Sequence, residues 1–335
     1  MITRRRLLAG LTATPLTAGL TVGLAACGGG PSKATSGRDT ATFLTGYGTT
    51  PRETFAWVGL AKGFFRDAGI DLTVLPGQPS DANLKSLAAG KAQFAAVDYV
   101  SAVRGTANFP DYRTIEVMQT TTLLSMVTVA GRGITKPTDL AHRTLGTAPA
   151  AATQTLFPAY AKAAGFDPAT DKIVNAPSDQ LPSLLATGRV DAIGAYFTDT
   201  ANVENAAPGK TAVAFPYGQF ITDLYGTVII ATTGVLSGKP DLVQRFAAAM
   251  AKTMQYCVDN PEEAGKLVQA QLPTVKGAVV AKVDARLKQY VGPFALSREK
   301  VTRSIAVLQN AGLAKAGLTP ENVVDFSVAT KAGLP

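Results

Sequence analysis

Histidine and cysteine are nearly absent, with 1 His and 2 Cys in 335 residues. That excludes a disulfide scaffold, a zinc ribbon and any metal site built on several imidazoles. A Ser–His or Cys–His catalyst is left with one imidazole, His142. Charge is sparse at 17%, while apolar residues reach 46%, a globular balance and not a disordered one. Long hydrophobic runs are missing as well. Only the N-terminal stretch approaches the length that spans a bilayer, so a multi-span membrane protein is excluded. No H-E-x-x-H, P-loop or G-x-S-x-G motif occurs. Gly46-Tyr47-Gly48 looks like half of a dinucleotide fingerprint. The third glycine is replaced by Pro51, however, and Asp71 opens its strand where a ribose-binding carboxylate would close it.

The N-terminus concentrates what the rest lacks. Arg4, Arg5 and Arg6 form a basic head, followed by an apolar stretch, Leu7–Ala26, broken by threonines and Pro15. This is the pattern of a secretory signal peptide. Pro15 and the threonines weaken the alternative, an uncleaved membrane anchor. Leu24-Ala25-Ala26-Cys27 resembles a bacterial lipobox, which makes Cys27 the expected lipidation site. The arginine run suits twin-arginine export as well as an ordinary leader. Cleavage before Cys27 removes three Arg and no acid, so the formal charge falls from +8 to +5. The remaining basic residues are scattered, which argues against a nucleic-acid partner. Residues 27–40 read as a Gly- and Ser-rich tether. A lipidated Cys27 leaves Cys257 without a disulfide partner.

From residue 41 onward, short β-rich runs alternate with helical stretches, the pattern of an α/β fold with crossover helices. The length suits two lobes. The spacing predicts one helix across Arg52–Ala68 and strands ending near Val97, Gly146 and Gly194. In the C-terminal third, Val243, Phe246, Met250, Met254 and Cys257 recur at helical spacing and define a buried stripe. Ser297 is placed to cap a helix over Arg298–Asn310. A weak repeat joins the two halves. Leu84-x-x-Leu87 leads to Gly90-Lys91 and an apolar run, and Leu181-x-x-Leu184 leads to Gly188-Arg189 and another.

Ligands of open α/β sheets sit at the carboxyl ends of strands. Those ends supply the candidate binding residues. The first strand leads into Tyr47, Thr50 and Arg52. Others end at Asp98-Tyr99, at Tyr196-Phe197 with Asp199, and at Thr147 before a small-residue loop to Thr153. Gln119 follows another strand. Aromatic residues with an Asp at two equivalent strand ends suit a flat ligand held between lobes. The Thr147–Thr153 loop reads either as backbone donors for an anion or as an ordinary helix start. Trp57 reads as core, His142 as surface and Cys257 as buried and inert.

Lys62-Gly63-Phe64-Phe65 followed by Gly69-Ile70-Asp71-Leu72 resembles a known family. So do Leu87-Ala88-Ala89-Gly90-Lys91, Pro137-x-Asp139-Leu140, Gly188-Arg189-Val190-Asp191-Ala192 and Asn260-Pro261-Glu262-Glu263-Ala264. In this order, behind a lipobox, they resemble the solute-binding proteins of ABC importers, in the thiamine-pyrimidine, alkanesulfonate, taurine and nitrate branch. The resemblance implies a type II periplasmic-binding-protein fold, with two α/β lobes, a ligand cleft and a two-strand hinge. It implies one lobe of residues 41–128 plus 229–335 and another of 129–228. It implies a non-enzymatic, cofactor-free, monomeric receptor for a small molecule, anchored to the membrane by lipid and docking on a permease and its ATPase. The pyrimidine binders carry W-x-P-N-x-x-H after the first strand. Here Thr49-Thr50 and Glu53 stand where Pro-Asn and His are expected, and Tyr47 stands where the aromatic residue belongs. A flat heterocycle, including a thiamine precursor, is the expected ligand. Alkanesulfonate, taurine or nitrate binders, a ligand sensor and an enzyme of pyrimidine synthesis are the alternatives.

Overall fold

The computed structural model describes residues 37–149 and 151–329. The expected signal peptide, Cys27 and most of the tether lie outside the described residues. No helix among the described residues is long and apolar enough to cross a membrane.

Among the described residues, ten strands form two five-stranded sheets of the same design. They are β1 (Asp39–Leu44), β2 (Ile70–Leu75), β3 (Phe94–Asp98), β4 (Tyr112–Val117), β5 (Leu124–Val129), β6 (Thr144–Thr147), β7 (Lys172–Asn175), β8 (Ala192–Tyr196), β9 (Ala212–Pro216) and β10 (Thr227–Thr232). The first sheet runs β2-β1-β3-β10-β4 and the second β7-β6-β8-β5-β9. In each, three parallel strands are followed by one antiparallel strand and an edge strand. That antiparallel strand, β10 or β5, is the one by which the chain arrives from the other sheet.

The internal repeat is visible in this symmetry. The helix Ser80–Ala88 leads to β3, and the helix Leu181–Ala186 leads to β8. Gly90 and Gly188 follow those helices at φ 71° and 76°, a left-handed turn that a side chain would strain. The expected lobe limits differ from the observed sheets. All of β5 lies in the second sheet and all of β10 in the first, so the chain changes sheets between Val117 and Leu124 and returns between Pro216 and Thr227. The threonine-rich link after β4 contains no Gly or Pro to mark the change. The two crossing segments are bonded to each other. Gly226 N–H donates to the Gln119 carbonyl (3.0 Å) and Thr122 N–H to the Leu224 carbonyl (3.1 Å).

The expected helix across Arg52–Ala68 is broken into three pieces. Pro51–Glu53 form a 3₁₀ turn, Phe55–Lys62 an α-helix and Phe64–Asp67 one further turn. Gly63, at φ 76°, ends the middle piece. The strand β9 and the helices Tyr99–Gly105 and Thr200–Ala206 were not legible in the sequence. Their short or polar runs show no clear period.

The helix Pro240–Asp259 covers one face of the first sheet, and the helix Arg298–Asn310 packs into the core on its other face. The stripe on the helix Pro240–Asp259 is buried as its spacing requires. Phe246 stacks on Phe94 of β3 with ring centroids 3.9 Å apart and meets Phe43 of β1. Cys257 and Trp57 are buried, and His142 is exposed.

Candidate functional site

A cavity of about 550 Å³ is lined by both lobes and holds most of the predicted strand ends. The first lobe brings Tyr47, Thr50, Arg52 and Asp98. The second brings Thr153, Tyr196 and Asp199. The predicted loop leading into the helix Ala152–Ala164 lines it as well, through Ala148, Pro149 and Ala151.

Four predicted residues are elsewhere. The Tyr99 ring packs edge-on against Tyr225, and its hydroxyl lies 2.5 Å from Ser304 Oγ in the core of the first lobe. Phe197 packs edge-on against Tyr290. The reason is the same at both places. Asp98 and Tyr196 are the last residues of their strands and face the cavity. The next residue starts a new element and turns into packing. Gln119 is buried in the crossing, where its side-chain carbonyl accepts from Thr227 N–H at 2.9 Å. Thr147 is buried behind the cavity lining, its hydroxyl without a partner.

Arg52 organises the site. It is buried, and its guanidinium lies 4.0 Å from the Tyr196 ring centroid. Its Nη1 donates to Asp199 Oδ1 at 3.3 Å, and its Nε is 3.2 Å from Glu53 Oε1. Burial alone would lower the Arg52 pKa, but the Asp199 and Glu53 carboxylates outweigh it and hold it raised. The cation bridges the lobes, since Arg52 belongs to the first and Tyr196 and Asp199 to the second. Glu53 also accepts from Gly46 N–H at 2.8 Å. A Cβ on Gly46 would lie 2.6 Å from a Glu53 oxygen, so only glycine lets the carboxylate approach. Burial raises the Glu53 pKa despite Arg52 and that N–H.

Asp98 behaves differently. It caps the helix Tyr99–Gly105, with Oδ1 accepting from Val100 N–H at 2.9 Å. Its Oδ2 is buried and has no partner. Burial lifts its pKa to about 6. Burial, then the nearby Asp98 charge, raises the Tyr196 hydroxyl.

Sequence reasoning missed several lining groups, among them Ser80, Asp81, Ser101, Arg104 and Asp179. Ser80 could have been found, because it follows Pro79 at a helix start. It accepts Asp98 N–H at 3.1 Å. The others sit on helices and loops of unremarkable sequence. Among the described residues, no His or Cys lines the cavity. No cluster of His, Cys, Asp and Glu among the described residues is arranged to hold a metal.

A search of curated proteins finds no match. Solved structures share the fold. The periplasmic aliphatic sulphonate binding protein SsuA from Escherichia coli is similar at 10% identity and TM-score 0.68, covering 87% of this chain and 92% of that one. The ligand-binding component of an ABC-type import system from Staphylococcus aureus, crystallised with zinc bound, is similar at 12% identity and TM-score 0.67, covering 88% and 99%. The desulfurization enzyme DSZB is similar at 16% identity and TM-score 0.59, covering 88% and 99%. These likenesses establish the periplasmic-binding-protein fold, on which both binding proteins and an enzyme are built. The family model described as NMT1/THI5 like matches residues 50–264. With that match spanning most of both lobes, this chain belongs to the NMT1/THI5-like family.

Proposed function

We propose that the chain is the extracytoplasmic substrate-binding lipoprotein of an ABC importer, capturing a small aromatic or heterocyclic solute by closure of its two lobes. The observation that supports this best is the cavity between the sheets, where Arg52 of one lobe lies over Tyr196 and against Asp199 of the other. A flat solute entering there touches both lobes and favours the closed form, which is the differential contact that closure requires. The leader and lipobox supply export and a membrane anchor at Cys27, and the closed receptor delivers its solute to a permease and ATPase. The solute-binding roles of the E. coli and S. aureus proteins that share the fold agree with this reading. An enzyme is less well supported, because the cavity lining among the described residues offers neither imidazole nor thiol. An amino-substituted pyrimidine, such as a thiamine precursor, fits the aromatic shelf and the polar strand ends.

The test is a thermal-shift screen of the exported domain with pyrimidines, flavins, sulfonates and nitrate. A ligand at 100 times its Kd stabilises by about 2.7 kcal/mol. For a domain of about 300 residues that is a rise of roughly 4 °C. A response to one class identifies the ligand. An unmoved transition with every class would refute a solute-binding role.

A further inference from the structure

The charges around the cavity do not suit an anion. Three basic residues line it against five carboxylates, and two of the basic ones are already engaged. Arg52 is neutralised by Asp199 and Glu53. The Arg104 Nη2 donates to both oxygens of Asp81, at 2.9 and 3.1 Å. Lys85 is an exposed residue at the rim. A sulfonate or nitrate entering here would meet no buried cation without a carboxylate already beside it. Releasing one of those carboxylates would leave an unpaired charge inside the protein, which is costly.

Asp98 is the counterpart. It is 4% exposed, lines the cavity, and has one carboxylate oxygen without a hydrogen-bond partner. Most buried acceptors in folded proteins are satisfied, and among the unpartnered carboxylates of the described residues Asp98 is one that lines the cavity. Near it stands the Tyr196 ring, which already holds one cation, the Arg52 guanidinium, over a face. Resting on the binding role proposed above, we infer that the solute is a small organic cation, an amine or amidinium on a flat ring, with Asp98 Oδ2 as its counter-ion, and that the cleft rejects anions.

The inference has a pH signature. The charged and titratable groups facing Asp98 are Arg52, Arg104 and the Tyr196 hydroxyl, and the neutral donors are the N–H groups of Val100 and Ser101. Burial outweighs all of them, so the empty site takes up a proton near pH 6. That proton competes with a cationic ligand. The affinity for a cation should therefore fall about tenfold from pH 7 to pH 5, as the carboxylate is lost.

Three probes of similar ring and different charge test this: benzamidine, benzyl alcohol and benzenesulfonate, titrated calorimetrically into the exported domain. Benzamidine is expected to bind tightest and benzenesulfonate weakest, with only benzamidine losing affinity toward pH 5. Asp98→Asn keeps a capping oxygen and should weaken benzamidine at least about tenfold while leaving benzyl alcohol within about threefold. The wild-type pH series gives the answer independently should that variant unfold. Benzenesulfonate binding as tightly as benzamidine, or a benzamidine affinity indifferent to pH and to Asp98→Asn, would overturn the inference while leaving a solute-binding role intact. Silence from all three probes and from the wider solute screen would remove the binding role and this inference together.

Discussion

Two buried carboxylates show how position decides what a residue does. Asp98 and Asp284 are 4% and 1% exposed, and each has an oxygen without a partner. Asp98 faces the cavity, where a ligand can complete it. Asp284 lies on the helix Gly277–Leu287, close enough to Cys257 that its charge adds to the burial raising that thiol. Burial lifts the Asp284 pKa to about 8, well above the ordinary 3.8. The folded state thus holds a proton that the unfolded chain releases. Stability is greatest below the ordinary carboxylate range and falls as pH rises toward 8. Asp284→Asn should remove this dependence and stabilise the protein at pH 8.5 by an amount on the order of a few kcal/mol, with little change at pH 4. Urea unfolding at the two pH values checks it, and an equal effect at both would mean that Asp284 does not titrate in the folded state.

Among the elements, the helix Pro240–Asp259 shows the strongest agreement between pattern and packing. Its apolar residues recur at helical spacing over five turns, and no Gly or Pro interrupts it after Pro240. It lies across the strands β1 and β3, and Phe246 meets the rings of Phe43, Phe65 and Phe94. Removing that ring leaves a cavity beneath a helix pinned at both ends. Phe246→Ala should therefore destabilise by about 3–5 kcal/mol, read as a drop in the urea midpoint at unchanged slope. A loss below about 1 kcal/mol would show that the helix collapses into the gap. The region Pro51–Asp67 behaves in the opposite way. Its apolar residues suggest one helix, but Gly63 and the turn at Pro51 split it, and the split lets Arg52 and Glu53 reach the cavity.

At the scale of the molecule, the lobes are joined by more than the paired crossing segments. Arg52 reaches Asp199, Arg286 Nη1 donates to Thr200 Oγ1 at 2.7 Å, and Phe197 packs on Tyr290. Only the first of these contacts lies in the cavity lining. Asp199→Ala removes one end of that link while leaving Arg52 paired with Glu53. In small-angle scattering the ligand-free variant should be more expanded than the wild type, and its ligand affinity should fall, because more of the population must close on binding. Identical scattering and affinity would show that the Arg52–Asp199 pair has no part in closure.

The amino-acid sequence by itself determined the alternation of strands and helices, the buried stripe, the Gly-stopped repeat and the strand ends at which the cavity forms. These are local properties, because hydrophobic period and turn residues act over a few positions. Which residue at a strand end enters the cavity was not local. Asp98 and Tyr99 differ by one position, as do Tyr196 and Phe197, and each pair diverges where a strand gives way to the next element. Only the tertiary structure placed Asp98 and Tyr196 in the cavity, Tyr99 in the core and Phe197 against Tyr290. It alone set Arg52 against Asp199, 147 residues away. The charge balance of the cleft arises there too, since it depends on which carboxylates the fold leaves without a partner.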